Sequence, residues 1–505
     1  MRARSGYLER DRMPRKAEHD VRPRLSLLSL GCDKNLCDSE RMLGELISEG
    51  FIYEPDEERA DVIIINTCCF IGDAKEESVR AVLEAAELKK RGNLKKLIVT
   101  GCMAERYKDE ILAELPEVDA VIGTNSFQQI GAILKDVRAG ERKELFLPLS
   151  ENHLSEVSGM KRELSGFGGY AYLKIAEGCN KRCSYCIIPY LRGPQRSVPM
   201  EELVKEASEL SERGIKELIL VAQETSVYGV DLYKRKMLPE LLRRLSGVEG
   251  IEWIRILYCY PEEVTDELID TMAEFPKVCH YLDIPIQHAS DHILRRMDRA
   301  TTRAEITERI GRIRERIPDI ALRTTLISGF PGESDADHQI LCEFVREMEF
   351  DRLGDFTYSR EEGTKAAAFS HQISKRLKEK RRDEIMEIQQ EIAFKKASLR
   401  VGKTYRALIE GRLTDIDELP LEAETSADEG ISADESTMEG GNSPKEALSH
   451  GDHGNIYIGR TYMDAPDVDG YVYIDAGKRE LMSGDMVSVR VTGARGYDLL
   501  AELIP

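Results

Sequence analysis

The sequence predicts an α/β protein with a small all-β unit at its C-terminal end, on three observations. Short runs rich in Ile, Val and Leu alternate with amphipathic stretches from residue 25 to about 150. The same alternation recurs six times between about 165 and 400. From 401 to 505 it gives way to short strands separated by Gly and Asp turns. A prior of about 150 residues per domain also suggests three units for 505 residues.

In the first region "LSLLSLGC", "ADVIIINTC" and "KKLIVTGC" read as strands, and "AKEESVRAVLEAAELKKRG" as a helix between them. This pattern belongs to a parallel sheet covered by helices. Each strand run ends in a cysteine: Cys32, Cys68 and Cys102. The carboxyl ends of neighbouring strands in an open parallel sheet converge on one crevice, so the three thiols are expected to share a site. The alternative is that each is an ordinary small buried residue.

In the second region the strands are "YAYLKIAEGC", "KELILVAQE", "WIRILYCY", "YLDIPIQH", "ALRTTLISGF" and "FDRLGDFTYS". Six βα units are too few for a closed eight-stranded barrel and suit an open, partial one with its site at the strands' carboxyl ends. The loop after the first strand carries Cys179, Cys183 and Cys186 in a CxxxCxxC run. In the third region "KTYRALIEGR", "NIYIGRTY", "GYVYIDAG" and "GDMVSVRVTGARGYDLLAELI" predict a five-stranded barrel of the oligonucleotide-binding shape. Residues 414–453 form an acidic, Ser- and Gly-rich insertion expected to be disordered, as is the charged extension 1–24. Met13 is an alternative start.

A net charge of −20 argues against a basic coat for sequence-independent nucleic-acid binding. No apolar run of membrane-spanning length and no secretory leader stand out, so no membrane partner is expected and the expected compartment is the cytoplasm. In a reducing compartment eleven cysteines point to ligands, catalytic groups or core residues rather than disulfides. Structural zinc takes four protein ligands, and CxxxCxxC supplies three; Cys259 or Cys279 would have to complete the set. A 4Fe–4S cluster held by three thiolates instead leaves one iron open to a ligand.

CxxxCxxC, with Tyr185 before its last cysteine, resembles the signature of the radical S-adenosylmethionine enzymes. "LGCDKN", "NTCCF" and "TGCMAERY" resemble the three cysteine motifs of the methylthiotransferase N-terminal domain, "GFPGE" resembles the radical domain, and the C-terminal barrel resembles a TRAM domain. The resemblance runs over nearly the whole chain from residue 25. It implies two 4Fe–4S clusters, one on Cys179, Cys183 and Cys186 and an auxiliary one on Cys32, Cys68 and Cys102. It also implies S-adenosyl-L-methionine and an electron donor such as flavodoxin or ferredoxin. One S-adenosylmethionine would methylate sulfur held at the auxiliary cluster, and another would give the radical that removes hydrogen from the target carbon. Cys69 departs from the family pattern; strand alternation turns it away from Cys68. Cys37, Cys259, Cys279 and Cys342 read as core thiols.

Further pocket candidates follow. Gln223 and Glu224 end the second strand, where the resemblance places the methionyl amino group; the alternative is a solvated strand end. Asp283, Gln287 and His288 are polar groups at a strand end, and His288 could equally be structural. Arg323, Gly329 and Gly332 would let backbone approach the adenosine, and Tyr185 would stack on adenine or simply fill space.

The family has two branches, one acting on the β-carbon of an aspartate in a small-subunit ribosomal protein, the other on adenosine in tRNA. The barrel has nearly equal acidic and basic counts without its insertion and is acidic with it, which disfavours phosphate binding. "AQETSVYGVDLY", "DIPIQHAS", "YSREEGTKAAA" and "RTYMDAPDVDG" resemble the ribosomal-protein branch. The alternatives are the tRNA enzyme and, in another class, a non-catalytic metal-binding scaffold on the ribosome.

Overall fold

A computed structural model describes residues 22–166, 168–413 and 455–504. The insertion at 414–453 and all but the last three residues of the extension at 1–24 lie outside the described residues. The described residues up to Gly166 and from Tyr170 to Ile392 form one compact unit; those from Ala393 onward, with Gly168 and Gly169, form a second.

The first sheet holds β1 (Arg24–Ser29), β2 (Ile52–Tyr53), β3 (Val62–Thr67), β4 (Lys96–Gly101), β5 (Ala120–Ile122) and β6 (Lys143–Leu145). Its order is β2-β1-β3-β4-β5-β6, all parallel. Strand alternation sends Ile63, Ile65, Leu97 and Val99 into the core on one face and Val62, Ile64 and Ile98 into the core on the other. Both faces are covered, which is why these strands read as continuous apolar runs. The chain leaves β1 toward β2 and returns on its other side as β3, so the direction of winding reverses between β1 and β3. A ligand crevice opens at such a reversal, and Cys32 and Cys68 follow those two strands. The apolar pattern did not reveal β2, β5 and β6, which are two or three residues long, too short to establish a period.

The second sheet begins with β7 (Tyr170–Lys174). A two-residue pair, β8 (Ala176–Glu177) and β9 (Arg196–Ser197), then closes the CxxxCxxC loop antiparallel. The sheet continues with β10 (Glu217–Val221), β11 (Trp253–Ile256), β12 (Val278–Asp283), β13 (Ala321–Ser328) and β14 (Arg352–Thr357). All six long strands are parallel, in the order β14-β13-β12-β11-β10-β7, an open arrangement as expected. Leu218, Leu220, Ile254, Ile256, Leu282, Leu322 and Leu326 fill one core with the surrounding helices.

The second unit contains a closed five-stranded barrel of β15 (Thr404–Arg412), β16 (Ile456–Thr461), β17 (Val472–Asp475), β18 (Met486–Arg495) and β19 (Asp498–Leu503). Alternate residues such as Ala407, Ile409, Val472, Ile474, Val489 and Val491 face its interior. Among the described residues no helix is long and apolar enough to cross a membrane.

Within the second sheet Arg255 and Glu217, both 0% exposed, pair at 2.7 Å on neighbouring strands, with the guanidinium over the Tyr281 ring. Removing Glu217 takes this ion pair from a fully buried guanidinium. Glu217→Ala is expected to cost about 3–5 kcal/mol in urea unfolding, and the double replacement Glu217→Leu, Arg255→Met much less.

Candidate active site

Cys32 caps the N-terminus of α1 (Asp33–Ser48), Cys68 follows β3, and Cys102 opens α3 (Cys102–Arg106) directly after β4. Gly31, at φ +90, makes this convergence possible, because a Cβ there would overlap the Cys68 side chain. Asn35 ties two of the loops together, donating from Nδ2 to Leu30 O at 2.8 Å and to Thr67 O at 3.0 Å. Ser78, on the helix α2 (Gly72–Lys90), clamps Cys68 by accepting from its N–H and donating to its carbonyl. Burial, then the neighbouring Cys102 and Cys32, push the Cys68 thiol up to about 12. Burial raises Cys102 too, opposed by Arg192 and reinforced by Cys32. The three thiols therefore act on one another, with Cys32 the exposed member. Cys69 follows the end of β3 and lies in the same core cluster as Cys102, and burial, then Cys102, push its thiol up to about 12.

The CxxxCxxC loop is pinned by backbone from distant elements. Cys179 N–H donates to Gly193 O at 3.1 Å, Ser184 N–H to Met297 O at 3.0 Å, and Ala366 N–H to Ser184 O at 2.7 Å. Burial first, with lesser contributions from neighbouring thiols, pushes Cys179 up to about 11 and Cys186 up to about 12. Cys183 Sγ shares a hydrogen bond with Tyr260 OH at 3.4 Å. Among the described residues no three His, Cys, Asp or Glu side chains close on a single ion. Cluster thiolates bind different irons and need not meet at one point, so this does not count against 4Fe–4S ligation. Cys259 has Glu224, Asp283 and Ser226 as its electrostatic neighbours, not the CxxxCxxC thiols, and Cys37 and Cys342 are buried. Cys279 is also buried.

Gln223 and Glu224 sit just past β10; Glu224 is 0% exposed and Gln223 half-buried. Gln223 Nε2 donates to Glu177 Oε1 at 2.6 Å. Glu224 Oε1 accepts from Ser226 N–H and Oγ–H, while Glu224 Oε2 and Gln223 Oε1 are buried acceptors with no protein donor. Such a pair of unmet acceptors, with Glu224 an electrostatic neighbour of Cys179, leaves room for a hydrogen-bond donor there. Burial pushes Glu224 up to about 7.

The other candidates are largely engaged with one another. Asp283 accepts from Arg323 Nη1 at 2.9 Å and from Tyr258 N–H at 3.0 Å, so the two predicted pocket residues form an ion pair. Gln287 adopts φ +71 and links Thr325 and Ile327 through its backbone. His288 Nδ1 accepts from the N–H groups of Ala289 and Ser290, and burial pulls it down to about 3, so the ring is neutral with its proton on Nε2. Tyr185 meets Phe330 edge-on at 6.5 Å in an apolar cluster. Gly329 is accounted for by packing: a Cβ there would overlap Lys378 Cγ, and its N–H already donates to Glu333 Oε2 at 2.6 Å. A Cβ on Gly332 would likewise press on Arg296.

Sequence reasoning missed Arg192, on the short helix Ile188–Arg192 after the last CxxxCxxC cysteine. Its Nε donates to Cys102 Sγ at 3.4 Å, and its Nη1 to Asp38 at 2.9 Å and Glu177 at 3.0 Å. Lys174 completes the group with ion pairs to Asp38 and Glu177. Its placement in "YLRGPQRS", directly behind the cysteines, was the available signal.

Near the same end of the sheet Asp355 accepts from Ser328 Oγ–H at 2.6 Å, and burial pushes it from 3.8 up to about 7. A carboxyl raised on folding stabilises the protein fully below its unfolded value and progressively less up to its folded one. Chemical-denaturation midpoints should therefore fall between pH 5 and pH 8, and Asp355→Asn should reduce that fall.

Residues 24–123 match the Uncharacterized protein family UPF0004, 173–345 the Radical SAM superfamily, and 445–504 the TRAM domain. The chain is 54% identical over 477 residues to a Lachnoclostridium phytofermentans protein, covering 94% of this chain and 99% of that one. It is 47% identical to an Acetivibrio thermocellus protein, covering 96% and 99%. It is 43% identical to one from Clostridioides difficile, covering 95% and 99%. All three relatives are named ribosomal protein uS12 methylthiotransferase RimO. Among solved structures, the radical S-adenosylmethionine methyltransferase TsrM of Kitasatospora setae aligns with a TM-score of 0.50 at 14% identity. The match covers 66% of this chain and 72% of that one, a likeness of fold alone.

Proposed function

The chain belongs to the RimO family of radical S-adenosylmethionine methylthiotransferases, and from that premise we propose that it adds a methylthio group to the β-carbon of an aspartate in ribosomal protein uS12. It is a radical S-adenosylmethionine enzyme, and that membership implies S-adenosylmethionine and a 4Fe–4S cluster. The observation that carries the fuller reading is the Arg192 contact on Cys102, which puts a residue of the CxxxCxxC segment against a thiol of the other set. Two clusters facing one substrate need such an adjacency.

In this reading Cys179, Cys183 and Cys186 hold the cluster that binds S-adenosylmethionine, and Cys32, Cys68 and Cys102 hold an auxiliary one. When bound, these groups supply the electron, the hydrogen-abstracting agent and the methylthio sulfur. The chain does the rest. Glu224 Oε2 and Gln223 Oε1 would accept from the methionyl ammonium of S-adenosylmethionine and so orient it. Glu177 holds Gln223 in place through its Nε2. Tyr260 OH at Cys183 Sγ helps fix that thiol's direction. Tyr185 supplies an apolar wall in this reading, as Asp283, Gln287, Arg323 and Gly329 shape the pocket floor. The reaction takes place in the cytoplasm, with an electron donor such as flavodoxin or ferredoxin.

The test uses anaerobically reconstituted protein and a uS12 peptide carrying the aspartate. Cys183→Ala should retain about half the iron yet lose S-adenosylmethionine cleavage, and Cys68→Ala should keep cleavage while losing the methylthio product. Cleavage surviving Cys183→Ala would refute the assignment of the radical site.

A further inference from the structure

Arg192 is 2% exposed, and each terminal nitrogen of its guanidinium is held. Nη1 donates to Asp38 and Glu177, and Nη2 to Asn35 Oδ1. These partners fix the plane of the fork, which leaves Nε aimed at Cys102 Sγ at 3.4 Å. Asn35 and Asp38 belong to α1, which starts at Cys32, and Glu177 lies two residues before Cys179. The residue is thus clamped from both cysteine segments while it touches one thiol.

Its formal charge is only partly offset nearby: Lys174, Arg192 and Arg196 carry three positive charges beside the two negative ones of Asp38 and Glu177. What reaches the sulfur is therefore both the guanidinium's charge and a directed N–H. Hydrogen bonds to cluster sulfurs are among the main determinants of iron–sulfur reduction potentials, because they stabilise the more negative, reduced form. A further cation, Lys34, pairs with Asp33 at 2.9 Å, lies 3.3 Å from the Tyr258 ring centroid and has Cys32 among its electrostatic neighbours.

We propose that Arg192 is a positioning residue for the auxiliary cluster: its Nε–H, locked by Asp38, Glu177 and Asn35, bonds the Cys102 sulfur and makes that cluster easier to reduce. This rests on the reading of Cys32, Cys68 and Cys102 as ligands of a second cluster. The step concerned is addition of one electron from a chemical reductant, with no bond broken and no proton taken up.

The test isolates that cluster in the full-length chain by replacing Cys179, Cys183 and Cys186 with Ala. Iron content and a dithionite redox titration followed by electron paramagnetic resonance are then compared among this parent, Arg192→Gln and Arg192→Lys. Lysine keeps the charge between Asp38 and Glu177 but has no donor fixed on the sulfur, and it preserves folding if glutamine does not. Both variants should hold the parent's iron and reduce less readily, with the reduction equilibrium constant falling about tenfold. An unchanged potential with iron retained overturns the inference and leaves the two-cluster reading standing. A folded variant without iron makes Arg192 an assembly residue and overturns it too. A parent that binds no cluster refutes the two-cluster reading, and the inference with it.

Discussion

The buried group of Asp38, Lys174, Glu177 and Arg192 is the constraint on which the site depends. Four charges removed from water are tolerable only when every partner is present and well placed. Asp38 comes from the first sheet's α1, Lys174 and Glu177 from the strands entering CxxxCxxC, and Arg192 from the helix leaving it. The group therefore forms only when the two sheets are docked in one register. That docking puts Cys102 beside the CxxxCxxC segment, and the chemistry of two neighbouring thiol sets follows from it.

The fold supports this from both sides. Reversal of winding between β1 and β3 opens the crevice above Cys32 and Cys68, and the six parallel strands of the second sheet present Cys179, Gln223 and Asp283 at their carboxyl ends. Glu177 is the hinge between the two arrangements: one oxygen faces Arg192 and the other faces Gln223. A chain of direct contacts thus runs from the Cys102 thiol to the acceptors left open at Gln223 and Glu224.

Much of this was legible in the sequence. Strands buried on both faces announce themselves as apolar runs, so β1, β3 and β4 and all six long strands of the second sheet were readable, as was the change of period at the barrel. The placement of the six cysteines was readable: three close equivalent strands of one sheet, and three crowd a single loop at the carboxyl end of another. The two- and three-residue strands were not, because no period fits in so few residues. Nor was Arg192, whose partner Asp38 is 154 residues away and which looks like any surface arginine until the sheets are docked. Gly329 was singled out for backbone approach, and what the fold itself requires there is a φ of +76 with the Lys378 side chain where a Cβ would lie. Asp283 and Arg323 were each marked as pocket groups, but neighbouring strands pair them with each other.

The decisive measurement is the mass of the uS12 peptide carrying the target aspartate, in ribosomes from cells with and without this gene. A methylthio-sized increment that disappears when the gene is removed is the predicted result. An unchanged peptide, with methylthiolated adenosine lost from tRNA instead, would contradict the assigned substrate while leaving the thiol chemistry in place.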